Sequence, residues 1–322
     1  MTRLDLLIPA RNAEAGIGRL LISAQRENTF DEIFVYDDAS DDGTRDEARR
    51  HGAVVVRGEA QVGPAAAKNC LAEQSSADWV HFHDAHGELA PAFTDRSRRW
   101  IAEVDCEAVL FANESRDEVT GARVGRVRWD EEALGADPVQ FHIAHGVANC
   151  GIYRRRAFLA AGGFDEDVAV RYHEDQAMHL RLALAGCRFR ADPHVGSITY
   201  RPAAGSMTAI ERMARARGQI EVLSRAAGAT GNRYSDVIGT AAWRLAAVCA
   251  GDQDWPGVDR CLAVAARIGY VDPRHEHWLV RAVARLDAAA AVRFREAAIR
   301  LLRPSRRLRT PIAVQPLEGH VR

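Results

Sequence analysis

Asp84 and His86 stand two residues apart after an apolar run, Trp79-Val80-His81-Phe82. In an extended backbone, residues i and i+2 point to the same side. A carboxylate and an imidazole so placed can grip one divalent cation. That donor pair suits Mn²⁺ better than Mg²⁺, which prefers an all-oxygen shell. Alone, an Asp-x-His is more often a polar turn after a strand. Three other polar blocks shift the balance: Pro9-Ala10-Arg11-Asn12-Ala13-Glu14, Asp37-Asp38-Ala39-Ser40-Asp41-Asp42-Gly43-Thr44, and Gly162-Gly163-Phe164-Asp165-Glu166 with His173-Glu174-Asp175 downstream.

Each of the first two blocks, like Asp84, follows a predicted strand. Short apolar runs give strands at 4–8 (stopped by Pro9), 32–36, 53–56, 79–83 and 107–112. Between the early ones lie helical patterns. Ile17, Leu20, Leu21 and Ala24 share one face. A second helix runs to about residue 51 with Gly52 at its end, and a third covers 63–73. Strand alternating with helix implies a parallel sheet with helices on both faces. Open sheets of this kind bind ligands at the carboxyl ends of their strands. Residues 114–145 are polar and weakly patterned, and read as a β-rich excursion or a lid-like loop. A short helix at 154–161, a better one at 173–185 and two short strands at 187–190 and 196–200 follow.

The four blocks, in this order, resemble the family 2 glycosyltransferases of the GT-A fold. The resemblance covers about residues 3–206. Pro9, Asn12 and Glu14 match the family's Pro-x-x-Asn-Glu-like turn, shifted by one. Asp37 to Thr44 match its Asp-Asp-Gly-Ser-x-Asp-Gly-Thr-like block, with Ala39 where Gly is usual. Asp84-Ala85-His86 takes the place of the metal-binding Asp-x-Asp, and the Gly-Gly-Phe-Asp-Glu and Glu-Asp blocks complete the set. The resemblance implies an α/β GT-A domain, a Rossmann-like mixed sheet flanked by helices, acting on a nucleotide-diphosphate sugar, with UDP the family default.

It also implies roles. Asp84 and His86 hold the metal on the diphosphate. A third ligand is open, with His194 the first candidate and His145 the second. Asp37 faces the base beside the backbone of Pro9 and Ala10, and Asn12, Asp38 and Lys68 complete the nucleotide site. Asp175 is the base for the acceptor, and Glu174 positions acceptor or sugar. His86 departs from the family's usual Asp and resembles the Asp-x-His of the retaining polypeptide N-acetylgalactosaminyltransferases. Those enzymes lack an acid at the position of Asp175, so its presence implies inversion here. Bland readings stand beside these. One of Ser40, Asp41 and Asp42 caps the next helix; Glu174-Asp175 would serve as an ordinary helix start; Lys68 would be an exposed helix lysine.

Composition limits the alternatives. The 322 residues suit one large domain and a smaller one, and 47% hydrophobic with 27% charged residues is ordinary for a soluble globular chain. A net charge of −1 offers no field for nucleic acid and at most peripheral contact with a membrane. The six cysteines form no Cys-x-x-Cys pair and read as reduced thiols in a cytoplasmic protein. The first apolar run is too short for a signal peptide. Lys68 is the only lysine. No Gly-x-Gly-x-x-Gly follows the first strand, against a dinucleotide oxidoreductase. No basic Gly-rich loop supports a nucleotidyltransferase. A non-catalytic sugar-nucleotide-binding scaffold is the remaining alternative.

From 207 the texture turns to Ala- and Arg-rich helix. The expected domains are a catalytic unit at 1–206, an all-α unit at 207–303 and a basic tail at 304–322. Similar segments begin at Trp243 and Trp278, close to the roughly 34-residue period of helical-hairpin repeats. These helices are candidates for a homo-oligomer contact. The acceptor is not named by any motif.

Overall fold

A computed structural model describes residues 2–27, 30–147, 150–201 and 209–303. The chain begins with β1 (Leu4–Ala10), buried along its whole length. There follow α1 (Glu14–Glu27), β2 (Ile33–Asp37), α2 (Thr44–Arg50), β3 (Val54–Arg57), α3 (Pro64–Gln74), β4 (Trp79–Phe82), β5 (Gly87–Leu89) and α4 (Phe93–Glu103). Next come β6 (Ala108–Asp117), β7 (Arg123–Val127), α5 (Glu131–Ala136), α6 (Pro138–Ala144), β8 (Gly151–Arg154), α7 (Arg155–Ala160), α8 (Glu174–Leu184) and β9 (Phe189–Arg201). The described chain ends with α9 (Ala209–Thr230), α10 (Ser235–Gly251), α11 (Trp255–Arg267), α12 (Trp278–Ala284) and α13 (Ala288–Leu302).

The strands form one mixed sheet in the order β3-β2-β1-β4-β8-β6-β9-β5, with β7 on β6. β1 to β4 are mutually parallel, as the strand–helix alternation requires. β8 then enters antiparallel between β4 and β6, so the sheet is not purely parallel. One face packs α1, α2 and α4 against Leu4, Leu6 and Ile8. The other packs α3, α7 and α8 against Leu7, Val80 and Phe82. Even and odd residues of β1 thus serve opposite layers, as a two-faced α/β core demands.

Pro9 does not stop the first strand. Leu7 turns its carbonyl to His83, past the end of β4, while Ala10 turns its own to Asp38. Pro9 therefore faces the β4 side, beyond the last paired residues Leu7 and Phe82, and its missing N–H costs no ladder bond. The two strands expected at 187–200 are one strand, β9, which follows β6 through register shifts around Phe111 and Ala112. A bend there lets its far half pair with β5. Gly196 packs on Phe111 where a Cβ would overlap that side chain. Strands β5 and β8, three and four residues long, carry too little pattern to be read in advance. The stretch 114–145 is ordered structure: the end of β6, then β7, α5 and α6.

A third core joins α9 to α13 with Val170, Ala177 and Leu180, so the helical segment rests on the turn and helix that carry Glu174 and Asp175. The look-alike segments at Trp243 and Trp278 are not equivalent. Trp243 is buried, and Trp278 is 65% exposed. The expected boundary near 206 and the tail at 304–322 lie outside the described residues. Among the described residues no helix is long and apolar enough to cross a membrane.

Burial holds several histidines neutral. It pushes His81 and His179 down to about 3, His173 down to about 4, and His83 and His142 below the usual imidazole range. The unfolded chain binds these protons below about pH 6.5, whereas the folded chain refuses those of His81, His173 and His179 until about pH 4 or lower. Stability should therefore fall as pH drops from 6.5 towards 4, by roughly 1.4 kcal/mol per pH unit for each such group. Melting scans should show a loss of more than about 5 °C between pH 7 and pH 5. A flat melting temperature over that range would contradict neutral burial of these rings.

Candidate active site

The turn after β1 and the block after β2 are stitched together. The Asn12 side-chain oxygen accepts from the Asp41 N–H at 3.1 Å, and Ser40 Oγ accepts from the Asn12 N–H at 3.1 Å. Glu14 accepts from the Gly43 N–H at 3.1 Å, and Thr44 Oγ1 accepts from the Ala13 N–H at 2.7 Å. A Cβ on Gly43 would overlap the Glu14 carboxylate, so any other residue there would displace that side chain. Asn12 thus shapes the loop from the rim. The expected cap of α2 is corrected: Gly43 takes the N-cap with no side-chain bond, and Asp42 accepts from the Thr44 N–H instead.

Asp37 and Asp38 sit at the carboxyl end of β2 beside Pro9 and Ala10 and are both buried. Asp37 accepts from the Ser40 N–H at 3.1 Å. Asp38 accepts from Val62 and Gly63 N–H at 2.7 and 3.0 Å, tying down the loop that enters α3. Between them and Ser40, Ala39 is left-handed, with φ 54°. That is why glycine is usual at this place in the motif. Ala39→Gly should leave stability unchanged or raise it by up to about 1 kcal/mol, while Ala39→Val should cost about 2 kcal/mol or more. Denaturant midpoints test this; an unaffected Val variant would contradict it.

The chemistry gathers around Lys68. This side chain is buried on α3, contrary to an exposed helix lysine, and its Nζ lies 3.0 Å from Asp84 Oδ1 and 3.7 Å from Asp175 Oδ1. The Phe164 ring packs beside it, 5.0 Å from centroid to Nζ. Burial opposes the ammonium charge, yet Asp84 and then Asp175 outweigh it and raise the Lys68 pKa. In return Lys68 holds the Asp84 carboxyl below the usual carboxylate range. Pro64, Ala65, Lys68, Asp84, Phe164, Glu174 and Asp175 line one cleft, with about 360 Å³ of empty space open to solvent. Asp84 comes from the end of β4, and Glu174 and Asp175 from the first turn of α8, where the helix dipole favours carboxylates.

The Gly-Gly-Phe-Asp-Glu block builds the wall of this cleft. Gly163 is left-handed, with φ 61°, and touches Asn69 where a Cβ would not fit. Asn69 donates to the Phe164 carbonyl at 3.0 Å and to Glu166 at 2.8 Å, and accepts from the Phe164 N–H at 2.8 Å. Buried Asp165 pairs with Arg181 of α8 at 2.6 Å and with Arg225 of α9. The motif therefore fixes α8 and α9 against α3. Residue types alone did not show the bridging role of Lys68 or the anchoring by Arg181 and Arg225. The isolated lysine was the one signal for the former.

The metal candidates are less closely gathered. Residues 85 and 86 form a turn, not extended strand, and the i, i+2 alignment does not carry through. The Asp84 carboxylate goes to Lys68, while His86 Nδ1 lies beside Gly16 on α1, 3.5 Å from where a Cβ there would sit. His86 remains close enough to Asp84 for the two groups to interact. His194 is not brought to this turn. Its Nδ1 lies 3.1 Å from Asp192, whose carboxylate also takes Arg96 and Trp100 of α4. His145 turns its Nδ1 to the Phe141 carbonyl at 3.0 Å. Among the described residues no three His, Cys, Asp or Glu side chains converge as a metal cluster. The donor set, one carboxylate and one imidazole, fits a cation shared with a diphosphate, not one that the protein encloses by itself.

Residues 5–160 match the family model described as Glycosyl transferase family 2. The chain carries a family 2 glycosyltransferase domain over these residues. The transferase has the GT-A fold. It superposes on S. aureus TarS 1-349 in complex with UDP-GlcNAc with a TM-score of 0.69, at 17% identity over 93% of this chain and 92% of that one. The mannosyltransferase PcManGT from Pyrobaculum calidifontis, in complex with GDP-Man and Mn²⁺, gives a TM-score of 0.53 at 18% identity, over 94% of this chain and 87% of that one. At such identities the likeness is one of fold. No curated protein matches the sequence at a significant level.

Proposed function

We propose that the enzyme moves a sugar from a nucleotide-diphosphate sugar, UDP being the first candidate, to an acceptor nucleophile with inversion. The observation that carries this reading is the meeting of Asp84 and Asp175 across the Lys68 ammonium in one cleft at the carboxyl edge of the sheet. Buried Asp37, next to the Pro9-Ala10 backbone, receives the nucleoside through its base or ribose hydroxyls. Lys68 meets the diphosphate with its charge. Asp84 and His86 would hold a divalent cation, Mn²⁺ by the donor set, which when bound neutralises charge on the leaving diphosphate.

Asp175 accepts the proton of the acceptor hydroxyl as its oxygen forms the new bond to the anomeric carbon. The bond from that carbon to the phosphate oxygen breaks, and nucleoside diphosphate departs with the electron pair. Attack from the face opposite the leaving group inverts the centre. Glu174, one residue away on the same turn, orients the acceptor. Phe164 shields the Lys68 side of the cleft from water, which strengthens each of these electrostatic contacts.

A thermal-shift screen of UDP, GDP and their sugars, with and without Mn²⁺ or Mg²⁺, tests the donor site. Ligands that bind only the folded state raise its stability by mass action. Nucleotide and metal together should raise the melting temperature, and metal alone should do little, because the protein offers too few ligands. Stabilisation by Mn²⁺ alone, or by no nucleotide, would overturn the reading.

A further inference from the structure

The turn that leads into the catalytic helix carries an unbalanced group of cations. Tyr172, immediately before His173 and Glu174, is left-handed, with φ 71°, and partly exposed. A bulky residue held in this conformation costs of order 1–3 kcal/mol and persists only where its surroundings enforce it. Two guanidiniums lie over its ring, Arg171 at 5.2 Å and Arg215 at 4.9 Å from the centroid. Gly218 explains how Arg215 arrives there. A Cβ at 218 would overlap the Arg171 carbonyl, so glycine lets α9 lie directly on this turn.

Elsewhere the arginines of this region are matched. Arg181 and Arg225 take Asp165, and Arg212 takes Asp252. Among the described residues neither Arg171 nor Arg215 stands in a salt bridge with a carboxylate; both guanidiniums turn to the Tyr172 ring. Two like charges gathered on one ring without a counter-charge are an incomplete arrangement, and guanidiniums suit planar, two-pronged recognition of an oxyanion. The donor does not account for them: its diphosphate is placed at Lys68 and Asp84, and these arginines do not line that cleft. Arg171 and Tyr172 lie directly before His173 and the start of α8, the helix that carries Glu174 and Asp175.

Resting on the donor reading above, we propose that Arg171, Tyr172 and Arg215 form a platform that binds an oxyanion of the acceptor, so that the enzyme takes acceptors bearing phosphate or carboxylate beside the hydroxyl to be glycosylated. The ring supplies a flat surface that spaces the two guanidiniums, and its strained backbone fixes them relative to Glu174.

Calorimetric titrations of glycerol 3-phosphate, glycerate and glycerol into the full chain test this, with Mn²⁺ and a saturating nucleotide closing the donor site to anions. Glycerol 3-phosphate should bind and glycerol should not. Arg171→Gln and Arg215→Gln should each weaken that binding at least about tenfold, with unchanged melting temperature and unchanged nucleotide affinity. Glycerate binding as tightly would assign the site to carboxylates as well; glycerate failing would assign it to phosphate. Binding of neither anion, equal binding of glycerol, or affinities unmoved by both substitutions would overturn the platform. If no nucleotide binds, the donor reading fails, and the same titrations without nucleotide still decide the platform by the same outcomes.

Discussion

Asp175→Asn should reduce glycosyl transfer by about 10²- to 10⁴-fold while donor binding persists. The substitution keeps the size of the side chain and its place on the first turn of α8, so the wall of the cleft is unchanged. What it removes is the capacity to take a proton. The acceptor hydroxyl then attacks without a base, and the loss falls on kcat. It also removes one of the two carboxylates facing Lys68, the farther one at 3.7 Å. The nearer contact to Asp84, at 3.0 Å, still holds the ammonium in place. Nucleotide affinity should accordingly stay within about threefold of wild type, since a factor of ten requires roughly 1.4 kcal/mol. Full activity in this variant would remove Asp175 from the mechanism. Lost nucleotide binding would instead make it a donor-site residue.

Asp84→Ala should be the other severe change, costing about 10³-fold or more in kcat/KM and abolishing the response to metal. A cation on a departing phosphate is worth several kcal/mol of charge stabilisation, and each 1.36 kcal/mol is tenfold in rate. Asp84 supplies the only carboxylate of the proposed cation site. Its loss also leaves the buried Lys68 ammonium with Asp175 as the nearer acid, pulling the lysine towards the base. His86→Ala should cost less, because the imidazole lies on the α1 side of the turn, against Gly16. Rates measured across a Mn²⁺ titration separate the cases. An Asp84→Ala enzyme with an unshifted Mn²⁺ dependence would show that the cation is held elsewhere.

The order of strands and helices up to β4 was legible because each run is short, strongly apolar and bounded by polar or glycine-containing turns. The far half of the sheet was not. β5 is three residues long, and β9 bends through a register shift that no local pattern announces. At the candidate site, the four polar blocks fall on loops that the fold brings together, since strand ends on one sheet edge must converge. Their individual roles were less visible. Asn12, Glu14, Asp38 and Asp165 have motif chemistry, yet their present bonds hold loops and helices together. Lys68 stood out as a nucleotide-site candidate, yet an exposed helix lysine was an equally open alternative, because burial of a charge depends on partners far away in sequence. Asp84 is sixteen positions away on one side of the fold, and Asp175 arrives from α8. The alignment of Asp84 with His86 was overextended for the opposite reason: a two-residue rule holds only while the strand lasts, and β4 ends at Phe82.

In the proposed mechanism Asp175 directs a nucleophile to the anomeric carbon of a bound nucleotide sugar from the face opposite the diphosphate. Time-resolved proton NMR of an α-linked nucleotide sugar with enzyme and Mn²⁺, water serving as the nucleophile, tests it most directly. The β-anomer of the free sugar should appear first, and its release should fall by at least about 10²-fold in Asp175→Asn. Initial release of the α-anomer, or an unchanged rate in Asp175→Asn, would contradict it.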